Sequence, residues 1–199
     1  LALSQVELVV RNQRRVHAFR LDASPPPESG GRLSLRGRLR EPLLELAQRE
    51  PGQMPWHDWH GELYAESAGV DVSTLRPYVD LSRWQVELRA GRGALRAWAD
   101  VAKGAVRGVL ADLSLQAVDA TLGKDLPPLA IDTLAGRLDL SWSAQGFELR
   151  TDDLHFRTTE GALWPGGQVS VQHRVAADGP VLRGGVRPGT GIQPSSPSV

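Results

Sequence analysis

The chain has no cysteine, which removes disulfides, thiolate metal centres and a cysteine nucleophile together, while leaving the cellular compartment open. It has no excess charge either. Its 23 basic and 23 acidic residues give a pI near 7.2, so no overall field draws it to nucleic acid or to an anionic membrane surface. No apolar run approaches the length of a bilayer-spanning helix, and the opening "LALSQVELVV" carries neither a methionine nor the basic and apolar regions of a signal peptide. We read the chain as an excerpt of a longer protein whose targeting segment lies upstream. At 199 residues one core is expected, with no need of covalent staples.

Catalytic signatures are missing as well. "GRG" at 91–93 and "GKDLPPL" lack the lysine and hydroxyl that a phosphate-cradling loop needs, and read as turns. No serine stands in G-x-S-x-G. The acidic pairs Asp152 with Asp153 and Asp112 with Asp119 read as solvated strand positions and not as carboxylates flanking a scissile bond.

What the chain does have is a period of two. "VELVV" and "VHAFRLD" form a hairpin pattern around the polar "RNQRR". In "RLSLRGRLR", Leu33, Leu35 and Leu39 alternate with Arg32, Ser34, Arg36, Arg38 and Arg40, the signature of a strand with one wet face. The alternation returns in "WQVELRAG" (Trp84, Val86, Leu88), "GALRAWADV", "GVLADLSLQAV", "LAGRLDLSW" (Leu134, Gly136, Leu138, Leu140, Trp142), "FELRTDDLHFRT" and "GQVSVQHRVA". "SAQG" is a tight turn between two of these runs. Helical signals are confined to "EPLLELAQRE", 41–50, and to "DVSTLRPYVD", 71–80, the latter capped by Asp71 or Ser73 and stopped at Pro77. The expected fold is all-β dominated: roughly ten strands in an antiparallel meander, with one or two short helices. Residues 1–183 form the domain, and the Gly/Pro/Ser-rich 184–199 are expected to be disordered.

The segment "PWHDWHGELYAE" poses the sharpest local question. His57 and His60 would share a face on a helix and could hold a metal with Asp58, giving a hydrolase. On a strand the two rings point apart. The alternation of Gly61, Leu63 and Ala65 with Glu62, Tyr64 and Glu66 predicts a strand, with Trp59 on the Leu63 face. His17, His155 and His173 are expected as half-buried strand residues. Six tryptophans could be core filling, a sugar-stacking platform or a lipid-contacting lining. Trp59, Trp84 and Trp142 share faces with aliphatic residues. Trp98, between Arg96 and Asp100, does not.

"WHGELYAESAGVDVSTLRPYV", "LRAGRGALRAWADVAKGAVRGVLADLSLQAVDATLGKDLPPLAIDTLAGRL" and "GFELRTDDLHFRTTEGALWP" resemble the middle of the YhdP family of AsmA-like proteins. The likeness extends from about Val6 to about Val175, and "VLRGGVRPGTGIQPSSPSV" departs from the family pattern. The resemblance implies a Gram-negative envelope protein, mostly periplasmic, held to the inner membrane by an N-terminal helix outside this chain. It further implies a long, curved β-groove that carries phospholipid acyl chains toward the outer membrane, with no catalytic residues and no cofactor. On that reading the partners are phospholipid, flanking repeats of the same chain and envelope proteins at either membrane, with no nucleic acid.

The residues expected to line the groove are Leu33, Leu35, Trp59, Leu63, Trp84, Val86, Leu88, Leu138, Leu140 and Trp142. Period two alone is equally compatible with a closed sandwich, so a secreted carbohydrate-binding β-sandwich using Trp98 or Trp164 is the alternative.

Overall fold

The computed structural model describes residues 3–26, 30–42, 58–75, 87–121, 127–176 and 179–188. They form one antiparallel sheet of eleven strands. The strands are β1 (Ser4–Gln13), β2 (Val16–Ser24), β3 (Leu33–Arg40), β4 (His60–Asp71), β5 (Glu87–Ala102), β6 (Ala105–Thr121), β7 (Leu129–Ser143), β8 (Gly146–Thr158), β9 (Leu163–Trp164), β10 (Gly167–Ala176) and β11 (Gly179–Pro188). Neighbours in sequence are neighbours in space throughout, except that the two-residue β9 pairs β8 beside the main path. At about 4.8 Å per strand, the ten strands of that path make a sheet about 43 Å long.

Register follows the hydrophobic alternation. In β2–β4, Leu21 opposes Leu35 and Leu35 opposes Ala65, while the arginines of β3 share the other face. A one-residue slip would move the leucines of β3 into water, and this fixes the pairing. Two-residue turns close β1–β2 at Arg14 and Arg15, β5–β6 at Lys103 and Gly104, and β7–β8 at Ala144 and Gln145. Lys103 and Gly104 both have positive φ, 53° and 67°, as a turn matching the right-handed strand twist requires.

Several runs that glycines divide in the sequence are single long strands. β5 passes straight through Gly91 and Gly93, which read from sequence as a turn; the register instead shifts between Leu88 and Arg92, and Gly91 takes φ 153°. Such shifts recur along one long edge of the sheet: beside Gln5, between Ser67 and Val70, at Ala117, and at Gly136 opposite Asp153. Each bulge bends its strand and adds local twist. At this edge Val72, Leu115, Val118, Ala120 and Ile131 are buried together, with Leu88, Leu134 and Phe156 packed against them. The opposite long edge carries the two-residue hairpin turns.

Three further expectations are corrected. Of the helix expected over 71–80, the described part is one 3-10 turn, Val72–Leu75, capped by Asp71, whose carboxylate accepts from the Ser73 amide at 3.0 Å and its hydroxyl at 2.6 Å. The helix expected over 41–50 lies outside the described residues, apart from its first two. β11 takes in 184–188, which composition had assigned to a disordered tail: its glycines pair with β10 through backbone hydrogen bonds that need no side chain. Finally, His155 is exposed, whereas His17 and His173 are half-buried in strands.

Candidate functional site

Because directly paired residues project on the same side, the register defines each face row by row. One row of the first face runs Leu21, Leu35, Ala65, Ala97, Ala111, Leu138 and Thr151. The next runs Phe19, Gly37, Leu63, Ala99, Val109, Leu140, Leu149 and Val171. On the bulged side follow Ala23, Leu33, Ser67, Leu95, Leu113 and Gly136. The face is apolar from β1 to β10. Its polar members are few and satisfied: Thr151 Oγ1 accepts from the Val169 amide at 2.8 Å, and Ser67 Oγ from the Gly69 amide.

This apolar face is the more sheltered side of the sheet, and we call it the inner one. Along β5, positions 93, 95, 97, 99 and 101 are half-buried and 92, 94, 96, 98 and 100 are exposed. Ala97 and Ala99 are too short to shade themselves, so the shading comes from larger neighbours on the same face, Leu63 and Leu95 among them. Small residues in the middle strands, Ala65, Ala97, Ala99 and Ala111, set a low floor between the leucines of β3 and β7. Among the described residues, no second layer covers it.

The outer face is built of charge. Arg137 donates to both Asp112 oxygens at 2.6 and 2.9 Å, Arg96 pairs with Glu66 at 3.6 Å, and Gln168 donates to Asp152 at 3.2 Å. These groups lie in one cross-strand row, so opposite charges meet directly. The hydrogen bond from Arg137 holds the Asp112 carboxyl below its ordinary range. Tyr64 Oη donates to Glu66 at 2.8 Å, which raises the phenol above its usual value. A hollow of about 650 Å³ opens between Arg137, Asp139, Arg150, Asp152 and Arg187 on this side. Arg137 is engaged by Asp112 and Arg150 by Glu148 at 2.7 Å, so the hollow offers little uncompensated charge to a ligand.

Of the ten residues expected to line a groove, Leu33, Leu35, Leu63, Leu88, Leu138, Leu140 and Trp142 share the apolar face by register, and nothing in the geometry tests what they contact. Trp59 joins them by stacking on His17, with ring centroids 4.1 Å apart and planes 5° from parallel. Trp84 and Val86 lie outside the described residues, as does His57. His60 opens β4 as a strand residue. Leu95, Ala97, Ala99, Val109 and Leu113 belong to the same wall and were not singled out from sequence. The exposed, charged alternates Arg96 and Asp100 around Trp98 were the signal that pointed to them.

Trp98 is 38% exposed on the outer face, where Tyr64 meets it at a 51° tilt. The two rings do not make a coplanar platform. Trp164 stacks on Phe156 within the sheet, 6.3 Å between centroids. With one sheet and no opposing layer among the described residues, the sandwich alternative lacks its second half.

Geometry thus defines the class: a curved, single-layer antiparallel sheet with a continuous apolar inner wall and a charged outer one, a β-groove. The family model for YhdP protein matches residues 1–187, and the chain belongs to that family of AsmA-like envelope proteins. The match takes in Val181–Arg187, which had looked foreign to the family. Comparison with curated proteins and with solved structures finds no match.

Proposed function

We propose that this chain is a non-enzymatic periplasmic segment of a lipid carrier, along whose inner wall phospholipid acyl chains slide between the inner and outer membranes. The observation that carries the reading is the inner face itself: apolar from β1 to β10, half-buried in the middle strands and open. Each methylene taken from water contributes about 0.8 kcal/mol, so a lane without any specific polar contact holds a tail firmly yet lets it move. No covalent step and no cofactor is required. A lane about 43 Å long exceeds the depth of one leaflet, roughly 15 Å, so it passes tails along and does not enclose one.

Family membership supports an envelope setting. No described helix is long and apolar enough to cross a membrane. Both ends of the sheet support continuation: Val6, Leu8 and Val10 on β1 are 54, 61 and 57% exposed, and Val186 on β11 is 60% exposed. Flanking repeats of the same chain pair with these edges, extend the lane and cover its ends.

The test is photocrosslinking in the full-length protein in cells. Benzoylphenylalanine at Leu63, Leu138 or Leu140 is expected to yield phospholipid adducts by mass spectrometry. The same group at Glu62, Arg137 or Asp139, one residue away on the outer face, is expected to yield none. Equal adducts from both faces would refute the reading.

A further inference from the structure

The two long edges of the inner face are not alike, and β6 carries the difference along a single strand. From the hairpin edge toward the bulged edge its residues on this face run Val106, Val109, Ala111, Leu113, Leu115 and Val118. Val106 is 44% exposed, Ala111 8% and Val118 2%. Water therefore reaches one end of the same apolar row and is shut out of the other.

Two short pieces of chain close the buried end. The 3-10 turn that follows β4 sets Val72 over β5 at Gly91, where a Cβ would stand 3.0 Å from Val72 Cγ2 and 3.3 Å from Val118 Cγ2. Gly91 leaves the space that Val72 fills, and Val72 packs there with Leu115, Val118, Ala120 and Ile131. On β8, the antiparallel return of β9 stacks Trp164 on Phe156, and Phe156 packs against the same cluster. The connection into β9 is pinned by Thr158, whose Oγ1 accepts from the Ala162 amide at 3.0 Å. Among the described residues, nothing comparable covers the hairpin edge of β5–β8. Lys103, Gly104, Ala144 and Gln145 are exposed there, and Val101, Val106, Trp142 and Phe147 stand directly behind them on the apolar face.

We propose that the groove has one mouth, the hairpin edge of β5–β8, along which a phospholipid carries its headgroup while its tails lie on the floor behind. The bulged edge is the closed back wall, and Val72 is the residue that closes it. This inference rests on the carrier reading above, whereas the asymmetry of the two edges stands without it. A phosphodiester gives up its hydration only where other donors replace the water. The buried members of the wall are hydrocarbon throughout and replace none. At the hairpin edge water reaches the last apolar side chain, Lys103 and Gln145 offer donors, and Trp142 supplies a ring suited to a boundary between hydrocarbon and water. A lipid docked the other way round would bury its charge where nothing meets it. Val72 thus sets the polarity of the lane without touching the headgroup.

The experiment places two photoreactive phosphatidylcholines on the 199-residue chain, one with a diazirine on the headgroup and one with a diazirine at the tail end. Adducts are mapped by peptide mass spectrometry. The headgroup probe is expected to label 101–107 and 142–147 roughly tenfold more than 70–75 and 115–121, as the cost of an unmet charge implies. The tail probe is expected to label the floor at Leu95, Leu113 and Leu138. Val72→Ser wets the wall while keeping the cap that Asp71 makes to Ser73, and is expected to raise headgroup labelling of 70–75 and 115–121 about threefold. Val106→Ser, at the edge already wet, is expected to leave the ratio unchanged.

Headgroup adducts that are absent, equal at both edges or concentrated at the bulged edge overturn the single mouth. The carrier reading survives that result as long as the tail probe labels the floor. A Val72→Ser chain labelled like wild type overturns the role of Val72 as the wall. If the tail probe labels the floor no more than the charged face, the carrier reading falls and the mouth falls with it.

Discussion

A charge set into the lane tests the tail contact directly. Leu138 lies on the inner face midway along β7, between Ala111 of β6 and Thr151 of β8, and it is half-buried. A tail running along the groove crosses strands at about 4.8 Å intervals, which lays about four methylenes against each. A methylene fully removed from water contributes about 0.8 kcal/mol, and about half of that when a wall covers one side, so each strand crossed contributes about 1.5 kcal/mol. Leu138→Asp removes the contact at β7. The new carboxylate also keeps its own water and lifts the tail from parts of β6 and β8.

The expected loss is therefore about 2–3 kcal/mol, a rise of about 30- to 150-fold in Kd. The matched substitution is Asp139→Leu, one residue on, which alters the outer face beside Leu110 and Arg150 and is expected to change Kd less than about threefold. A fluorescent fatty acid titrated against both variants reads the effect. Aspartate inside a strand also costs up to about 1 kcal/mol of stability, which a thermal melt reads separately. Equal losses from both variants, or none from either, would mean that tails do not lie on this wall.

Gly93→Ala is expected to destabilise the sheet by about 1–3 kcal/mol, because its Cβ would sit 2.0 Å from the Ser114 carbonyl oxygen and 2.9 Å from the Leu115 Cα. Gly108→Ala, whose nearest neighbours stand at 3.7 Å, is expected to shift Tm little, and urea denaturation compares the two. Stability should also depend on acid. Hydrogen bonds from Ser34 and Arg20 lower the Asp22 pKa, that from Ser73 lowers Asp71, and that from Arg137 lowers Asp112. With folded values below the unfolded carboxylate range near 3.9, their stabilisation is complete above about pH 5 and is lost as pH falls through and below that range. Melting followed from pH 6 to pH 2 is expected to fall steeply below about pH 4 in wild type and less steeply in Asp112→Asn. A steep fall retained by Asp112→Asn would remove that residue from the account.

Which residues face inward was legible in the alternation of Leu33 with Ser34, Leu63 with Tyr64 and Leu138 with Asp139. The backbone pleat dictates that successive side chains part, and only one set can tolerate leaving water. Strand identity, the meander order and the strand nature of His60 followed from the same period. Legibility failed where backbone geometry, not side-chain chemistry, made the decision. Gly91 and Gly93 could mark a turn or a bulge, and only pairing with β6 distinguishes them. The glycines of 184–188 look like a tail until β10 offers them a partner.

The sequence by itself determined a two-faced ribbon, because hydrophobic alternation at the pleat's period leaves no other arrangement with one dry side. It could not determine whether that side would be sealed, because a groove and a sandwich require the same alternation. Tertiary structure made that choice by lining up the bulges along one edge, curving a single sheet around low alanine floors and leaving the described wall without a second layer. Only in three dimensions do His17 and Trp59 meet, since they lie on separate stretches of chain and the pairing of β2, β3 and β4 brings their rings together.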